Sequence, residues 1–187
     1  PSKTFVYTCA EGETFTVRVE GEVAWLFLPG GSKRLPRVPS ASGAKFSDGS
    51  ATYWGKGEEA LLAFGGKTYH GCVNNRRLAI WEDAKLRGVD FRAVGNEPGW
   101  HLEISGRDRL LFVDNYGQDR YRFVLPEPTV DPVSRAARYR TQDESHTLTL
   151  TLEGRRCADS MSGESFETTV TLMFDSRRLY GCGRPLH

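Results

Sequence analysis

Residues 15–28 read FTVRVEGEVAWLFL, and this stretch decides the fold class of the N-terminal half. Apolar side chains alternate with others along the first part, residues 20–22 are typical of a turn, and the alternation then resumes. A period of two indicates β-strands rather than a helix. The stretch therefore predicts a β-hairpin whose buried face carries Phe15, Val17, Val19, Val23, Trp25 and Phe27.

The rest of the first half shows the same pattern of short strands separated by turns. Further strands are predicted at residues 51–54, 59–64 and 68–72, separated by glycine-bearing turns. No stretch of a dozen residues in this half carries a helical apolar pattern. Several short strands with one apolar face each indicate a small barrel or a curled sheet.

The second half also alternates, with strands predicted at 100–104, 110–113, 121–125, 148–152 and 166–174. Between the halves, residues 81–87 are good helix formers that end at Gly88. The predicted organisation is therefore a β-barrel domain over 1–75, a helical linker over 76–90 and a second β-rich domain over 91–187. The fold class is all-β.

Four cysteines allow three pairings, and their placement favours one. The pairs Cys9–Cys72 and Cys157–Cys182 would each close one half of the chain, and no bond would cross the middle. Such bonds persist in an oxidising compartment, which for a bacterium is the periplasm or the outside. The alternatives are reduced cytosolic thiols or a zinc site, although there is no Cys-x-x-Cys and the histidines lie at no ligand spacing.

Composition excludes several function classes. A formal net charge of +1 over 187 residues gives no dominating basic field, so no nucleic-acid partner is expected. No stretch approaches the ~20 apolar residues that span a bilayer. The sequence also offers no pattern for a metal or an organic cofactor, and none is expected.

The chemically informative stretch is residues 40–49, SASGAKFSDG, followed by residues 53–57, YWGKG. It combines a loop of small hydroxyl residues, a strand, and Lys56 on a tip between two glycines. Gly55 and Gly57 have no side chains, so the ammonium of Lys56 between them could reach into a partner's cleft. The plainer interpretation is that Ser, Gly and Lys are simply the residues that loops favour.

These residues resemble the MliC/PliC inhibitors of C-type lysozyme, the membrane-bound and periplasmic forms. The resemblance covers nearly the whole first half, and one departure is Phe46, where the family often has tyrosine. It implies an eight-stranded antiparallel barrel with its ends joined by a disulfide. The second small antiparallel β-domain, joined to the barrel by the short helix, is predicted from the strand and helix patterns. The segments that match are 7–9, 15–19, 35–36, 42–46, 54–60 and 69–72.

The resemblance also implies that Ser42 and Lys56 enter the lysozyme's catalytic cleft and so protect bacterial peptidoglycan. C-type lysozyme uses one carboxylic acid whose pKa is raised and one ionised carboxylate. A hydroxyl suits the first group and an ammonium suits the second. The predicted lysozyme-binding residues are Ser42, Gly43, Lys45, Phe46, Trp54 and Lys56.

Two other functions compete with inhibition. The chain could be a non-enzymatic envelope-binding or structural lipoprotein that has kept the barrel and lost inhibition. A Ser42–Lys56 pair could also be a Ser-Lys hydrolase dyad. No Ser-x-x-Lys or Gly-x-Ser-x-Gly motif supports that dyad, so no enzyme is predicted and no residue is assigned as catalytic.

The second half resembles an uncharacterised domain of bacterial envelope lipoproteins, a resemblance that implies no activity. Its polar residues could gather into a pocket for a ligand or ion. The alternative is that they satisfy turn backbones, with Arg184 paired to Glu97 or Glu164. The residues of this possible second site are Asn96, Glu97, Asp159, Ser160, Ser162, Glu164 and Arg184.

The resemblance places the chain in the periplasm or on the outer membrane of a Gram-negative bacterium, as a lipoprotein. The sequence begins at Pro1 without a signal peptide, so a lipid-anchored start would have been lost from it. The expected partner is C-type lysozyme, and an anchor would add peptidoglycan or the outer membrane. Nothing in the sequence indicates an oligomeric state.

Overall fold

The hairpin of residues 14–28 forms two adjacent strands, Thr14–Glu20 and Val23–Leu28, in a computed structural model that describes all 187 residues. Only Gly21 and Glu22 lie between them, because Glu20 pairs with Val23. A two-residue turn with a left-handed Gly21 (φ 59°) is the tight connection that twisted strands favour.

This short turn corrects the predicted buried face of the second strand. Val19 pairs with Ala24 and Val17 with Leu26, so these side chains share the barrel interior. Ala24 and Leu26 are buried, whereas Val23, Trp25 and Phe27 are only half-buried on the other face. The prediction that Val23, Trp25 and Phe27 form the buried face is wrong, since a one-residue change of register exchanges the two faces.

Eight antiparallel strands close into a barrel, each paired with its neighbour in sequence and the last paired with the first. The predicted eight-stranded barrel is therefore confirmed. Its strands are β1 Ser2–Thr8, β2 Thr14–Glu20, β3 Val23–Leu28, β4 Gly31–Val38, β5 Ala44–Ser47, β6 Thr52–Lys56, β7 Glu59–Phe64 and β8 Lys67–Asn74.

Aromatic and aliphatic side chains fill the barrel interior. Tyr7 and Tyr53 meet there through their hydroxyls, 2.7 Å apart. This bond satisfies both buried hydroxyls, and burial raises the pKa of both tyrosines, which therefore stay neutral. The largest buried side chains around the pair are Phe46, Leu26, Leu35, Leu62 and Val17.

Both predicted disulfides are present. Cys9–Cys72 ties the end of β1 to β8, next to the closure of the barrel, and spans 63 residues. Cys157–Cys182 closes a shorter segment in the second half. In a small barrel such a bond stabilises by limiting the unfolded chain, which is worth about 4 kcal/mol for a loop of the longer size.

The helix α1 spans Arg76–Leu86, so it begins five residues before the predicted start. The Asn75 side chain accepts the Leu78 backbone N–H at 3.2 Å, which is an N-cap interaction. Asp83 accepts hydrogen bonds from Thr4 (2.8 Å) and Arg18 (3.1 Å), which fasten the helix to the barrel. The helix ends before Gly88, as the sequence predicts.

The chain divides into two compact units, Pro1–Asp83 and Ala84–His187. The division falls inside α1, so the predicted segmentation at residues 75 and 90 stays a prediction. No helix of the chain has the length and apolar character needed to cross a membrane.

The second unit is an antiparallel sheet of nine strands in the order β12-β11-β10-β9-β19-β18-β15-β14-β13, with β16 and β17 as a separate pair. It curls on itself, and Thr141 near one border donates to the Val124 carbonyl near the other at 2.8 Å. The strands are β9 Val89–Gly95, β10 Trp100–Ser105, β11 Arg109–Asp114, β12 Asp119–Val124, β13 Thr129–Asp131, β14 Ala136–Gln142, β15 Thr147–Glu153, β16 Cys157–Ala158, β17 Ser165–Phe166, β18 Thr168–Phe174 and β19 Arg177–Pro185.

The concave side of this sheet encloses the second core. Alternate residues of every long strand point into it, as the sequence alternation predicts. The fully buried members include Leu102, Phe112, Leu148, Leu150 and Leu172. The opposite face of β14, β15, β18 and β19 is left to solvent.

Candidate functional site

The loop between β4 and β5 lies directly against strand β6. Gly43 has a left-handed backbone (φ 67°), and a Cβ on it would stand 2.4 Å from the Gly55 carbonyl oxygen. Such a distance is far inside van der Waals contact, so only glycine fits at position 43. The consequence is that Ser42, one residue earlier, is held at the surface beside the end of β6.

Trp54 fixes the same loop from the strand side. Its indole Nε1–H donates to the main-chain carbonyl of Ser42 at 2.8 Å. Lys45, the cross-strand partner of Trp54, places its ammonium 5.0 Å from the centre of a Trp54 ring. This distance allows a cation–π interaction, so Trp54 contacts both the loop and a neighbouring lysine.

Lys56 is the last residue of β6 and stands at the start of a two-residue turn. It pairs with Glu59 across Gly57 and Glu58, and Gly57 is left-handed (φ 62°). The Lys56 side chain is exposed and forms no ion pair or hydrogen bond within the chain. Its ammonium therefore projects into solvent without a partner.

The acidic neighbour in this turn is engaged elsewhere. Glu58 accepts hydrogen bonds from Arg76 (3.1 Å) and Asn74 (2.9 Å). These two contacts hold the pKa of the Glu58 carboxyl below its usual range, and the hydrogen bond from Arg76 has the larger effect. Because Glu58 is turned toward Arg76, it does not neutralise Lys56.

Ser42, Trp54 and Lys56 line one open surface groove of about 410 Å³. The groove continues over β7 and β8 at the place where their pairing shifts register between Ala60 and Leu62. The other lining residues are Glu59, Ala60, Leu61, His70, Gly71 and Cys72. The structure thus brings together the two residues on which the sequence interpretation depends.

Phe46 does not line this groove. Its side chain is 1% exposed and stacks on Tyr53 inside the barrel, with ring centres 5.9 Å apart. Phe46 was predicted to contact a partner directly, but the even-numbered residues of β5 face inward and its side chain is buried. Phe46 supports the surface from beneath, next to Lys45 and Trp54, which face outward.

The groove contains no assembled dyad. The Ser42 hydroxyl has no hydrogen-bond partner within the chain, and Lys56 has none either. A serine nucleophile is activated by a base within hydrogen-bond reach, and this geometry offers none. The Ser-Lys hydrolase interpretation gains no support from it.

Sequence reasoning missed the part of the groove formed by β7 and β8. Its exposed members, Glu59 and His70, lie in the matching segments 54–60 and 69–72 but were not singled out as binding residues, and strand pairing with the bulge at Leu61 brings them into the groove. The available signals were those matching segments and the Cys9–Cys72 pairing, which requires β8 to lie at the barrel closure.

In the second unit, the polar residues of the possible second site gather around a turn. Asn96 donates to Asp159 (2.6 Å) and Ser160 (3.2 Å), and the other Asp159 oxygen accepts the Ser162 N–H at 2.8 Å. Burial disfavours the ionised carboxylate of Asp159, and these hydrogen bonds favour it. The hydrogen bonds prevail, so the pKa of Asp159 is lowered.

The remaining members complete the same structural arrangement. Glu164 donates its backbone N–H to Ser162 (3.2 Å) and accepts Arg184 at 3.3 Å. Glu97 forms no hydrogen bond or ion pair with this group. These contacts match the alternative in which polar side chains satisfy turn backbones and Arg184 pairs with Glu164. No three His, Cys, Asp or Glu residues of the chain come together as a metal site.

Comparison with known proteins concerns mainly the barrel. Residues 7–70 match the family model described as membrane-bound lysozyme-inhibitor of c-type lysozyme, MliC. The chain is also similar to the membrane-bound lysozyme inhibitor of C-type lysozyme from Yersinia enterocolitica serotype O:8 / biotype 1B, with 35% identity over 92 residues. That alignment covers 48% of this chain and 75% of the relative. No solved structure gives a significant match.

Proposed function

The chain belongs to the MliC family of membrane-bound inhibitors of C-type lysozyme, and we propose that it inhibits such a lysozyme by inserting Ser42 and Lys56 into the catalytic cleft. The observation that carries this proposal is the unpartnered, exposed ammonium of Lys56 in the same groove as the unpartnered hydroxyl of Ser42. Both groups are ready to bond outside the chain.

The chemistry of the two side chains fits the two carboxyl groups of the enzyme. An ammonium forms a charge-assisted hydrogen bond with the ionised carboxylate, and water excluded from the cleft strengthens that bond. A hydroxyl both donates and accepts, so it can bond the protonated acid. Together they would satisfy both groups while the barrel surface excludes the sugar chain.

The residues beside the two inserted groups have positioning roles in this proposal. Gly43 allows the close approach of the loop to β6, and Trp54 holds the loop through the Ser42 carbonyl. Lys45, next to Trp54, would contact the rim of the cleft. Because the hydrogen bond from Trp54 uses the backbone of Ser42, the serine hydroxyl stays available.

We propose further that the chain works in the bacterial cell envelope, where it protects peptidoglycan. Two disulfides fit an oxidising compartment such as the periplasm. The relative from Yersinia enterocolitica is described as membrane-bound, which fits a lipoprotein location at the outer membrane. The barrel of residues 1–75 would be the inhibitory part.

A lysis assay tests the function. Gram-positive cell walls are incubated with a C-type lysozyme and increasing amounts of the full chain, and turbidity is followed. We expect lysis to stop near an equimolar ratio, and the two proteins to co-elute on size exclusion. Undiminished lysis with excess folded protein would overturn the proposal and leave an envelope protein that has lost inhibition.

A further inference from the structure

The solvent-facing side of strands β14, β15, β18 and β19 carries an ordered set of side chains. Residues directly opposite each other in paired strands point to the same face. One row runs across the four strands as Arg138, Thr151, Thr171 and Tyr180, and the next row runs as Arg140, Thr149, Met173 and Arg178. We call these eight residues the arginine–threonine face.

This face is open to solvent. Tyr180 is 62% exposed and the three arginines are exposed as well, while the threonines and Met173 between them are half-buried. Arg138 and Arg140 make no hydrogen bond or ion pair within the chain, and Arg178 only donates to the Met173 sulfur at 3.4 Å. Three guanidinium groups therefore stand on one face without a carboxylate partner.

The carboxylates that border the face are mostly engaged. Glu153, the next outward residue of β15, lies 3.5 Å from Arg155. Asp143 accepts the Ser145 backbone N–H of its own turn, and Asp175 accepts the Thr147 backbone N–H at the start of β15. Glu144, beside Asp143, has no partner within the chain. The unit Ala84–His187 contains fifteen Lys or Arg and fifteen Asp or Glu, so it has no net charge from these residues. The positive charge of this face therefore comes from how the charged residues are distributed over the unit.

The side-chain chemistry indicates the class of ligand. A guanidinium matches carboxylate or phosphate groups through two parallel hydrogen bonds. Threonine hydroxyls both donate and accept, as the hydroxyls of a sugar do. With strands ~4.8 Å apart, the row from Arg138 to Tyr180 spans about 14 Å across the outer, convex side of the curled sheet. That shape suits an extended polymer better than a small molecule.

From this arrangement we infer that the arginine–threonine face binds an anionic polysaccharide, with the arginines on its acidic groups and Tyr180 against a sugar ring. A single-stranded nucleic acid is disfavoured, because surfaces that bind it stack successive bases on several aromatic rings and this face has one. The face lies outside the residues matched to the inhibitor family, so the inference is independent of lysozyme inhibition.

Binding of polygalacturonate, a carboxylated sugar polymer, to the full chain tests the inference. Titrations are made at about 20 mM and about 200 mM salt, with neutral dextran and single-stranded DNA for comparison. We expect polygalacturonate to bind at low salt, to weaken as salt rises, and to bind more tightly than either comparison polymer. Lysozyme inhibition is measured without the polymer, because a basic lysozyme would itself bind polygalacturonate.

Variants locate the site. The double variant R138Q/R140Q should lose about tenfold or more in affinity, and Arg178→Gln should weaken binding by a smaller factor. R120Q/R122Q is the matched control, since it removes two exposed, unpaired arginines spaced by two on β12 of the same sheet. Its affinity should stay within about twofold of the parent.

Three results would overturn the inference. They are the absence of polygalacturonate binding at low salt, an equal loss in the two double variants, or equally tight DNA binding with the same dependence on Arg138 and Arg140. Circular dichroism of each variant confirms that the fold is retained. Since all of the replaced side chains are exposed, we expect no change in the spectra.

Discussion

The indole of Trp54 donates a hydrogen bond to the main-chain carbonyl of Ser42, with 2.8 Å between the two atoms. The two residues are 12 positions apart in sequence and belong to different segments, a strand and a loop. The bond sets the height of the loop above β6, where Lys56 ends the strand. The spacing of the serine hydroxyl and the lysine ammonium therefore depends on Trp54.

Replacing Trp54 by Phe removes this donor and keeps an aromatic ring. We expect lysozyme inhibition to weaken by about 1 kcal/mol, the net value of one such hydrogen bond. Inhibition constants and thermal melts should be measured together. Trp25→Phe is the control, because Trp25 is a half-buried outward residue of β3 with no hydrogen bond in the chain. Equal effects of the two changes on inhibition would contradict the positioning role.

Lys56→Ala removes the unpartnered ammonium from the groove. We expect the inhibition constant to worsen by about 2–5 kcal/mol, because the truncation leaves a buried carboxylate of the enzyme unpaired. Lys56→Met should lose nearly as much, since it keeps the length and removes the charge. Lys33→Ala, which removes the same charge elsewhere on the barrel, should inhibit like the parent. Full inhibition by Lys56→Ala would disprove the proposed insertion.

Ser42→Ala removes the free hydroxyl and leaves the backbone carbonyl that Trp54 holds. The expected cost in inhibition is about 1–3 kcal/mol, the penalty for leaving a buried polar partner unsatisfied. Ser40→Ala is the matched control, because the Ser40 hydroxyl already donates to the Gly43 carbonyl at 3.3 Å. If the two variants behave alike in a titration against lysozyme, the assigned role of Ser42 is wrong.

Association with lysozyme should not be steered by long-range charge. Residues 1–80 contain ten Lys or Arg and seven Asp or Glu, a surplus of three, and C-type lysozymes are basic. Because like charges do not accelerate an encounter, we expect an association rate near 10⁵–10⁶ M⁻¹s⁻¹ that does not fall as salt is raised. Arg77→Glu should raise this rate at low salt. Stopped-flow rates that drop steeply with salt would contradict the expectation.

His101 predicts a dependence of stability on pH in the second unit. Burial lowers the pKa of its imidazole to about 4, with Arg92 adding to the effect and Glu103 opposing it. An unfolded chain would protonate this histidine near its ordinary pKa of 6.5. Between these values the unfolded state binds more protons, so stability falls as the pH is lowered from about 6.5 to about 4.

His101→Gln should flatten this part of the stability profile, because a neutral side chain binds no proton in either state. Thermal unfolding measured from pH 7 to pH 4.5 checks the prediction, with His187→Gln near the exposed C-terminus as the control. The groups that face His101 are Arg87, Arg92, Glu103 and Arg120. An unchanged slope in His101→Gln would show that another group controls the profile.

Much of the fold was predictable because alternation is a local property. The strands around Trp100, Leu102 and Ile104 bury those side chains as their period of two requires. Both disulfides were predictable because each joins cysteines of one half. The buried face of β3 was not predictable, because it depends on whether the turn after Glu20 holds two residues or three. One residue of loop length reverses which side chains are buried.

The candidate site was partly predictable for a similar reason. Ser42 and Lys56 were predicted from the resemblance to the inhibitor family, and the barrel brings them to one groove. Glu59 and His70 were not singled out as site residues. The β6–β7 hairpin places Glu59 opposite Lys56, and His70 reaches the groove only through the pairing of β7 with β8. Phe46 was predicted as a binding residue from the resemblance, whereas the barrel turns its side chain inward.

The amino-acid order alone determined an all-β chain in two halves, the cysteine pairs, and a hydroxyl and an ammonium on adjacent loops. These follow from local periodicity, turn chemistry and spacing, which any segment carries with it. Only the tertiary structure decided which faces are buried, which carboxylates are already engaged, and which cations remain free. Those properties arise from strand register and barrel closure, which join residues that are distant in the chain.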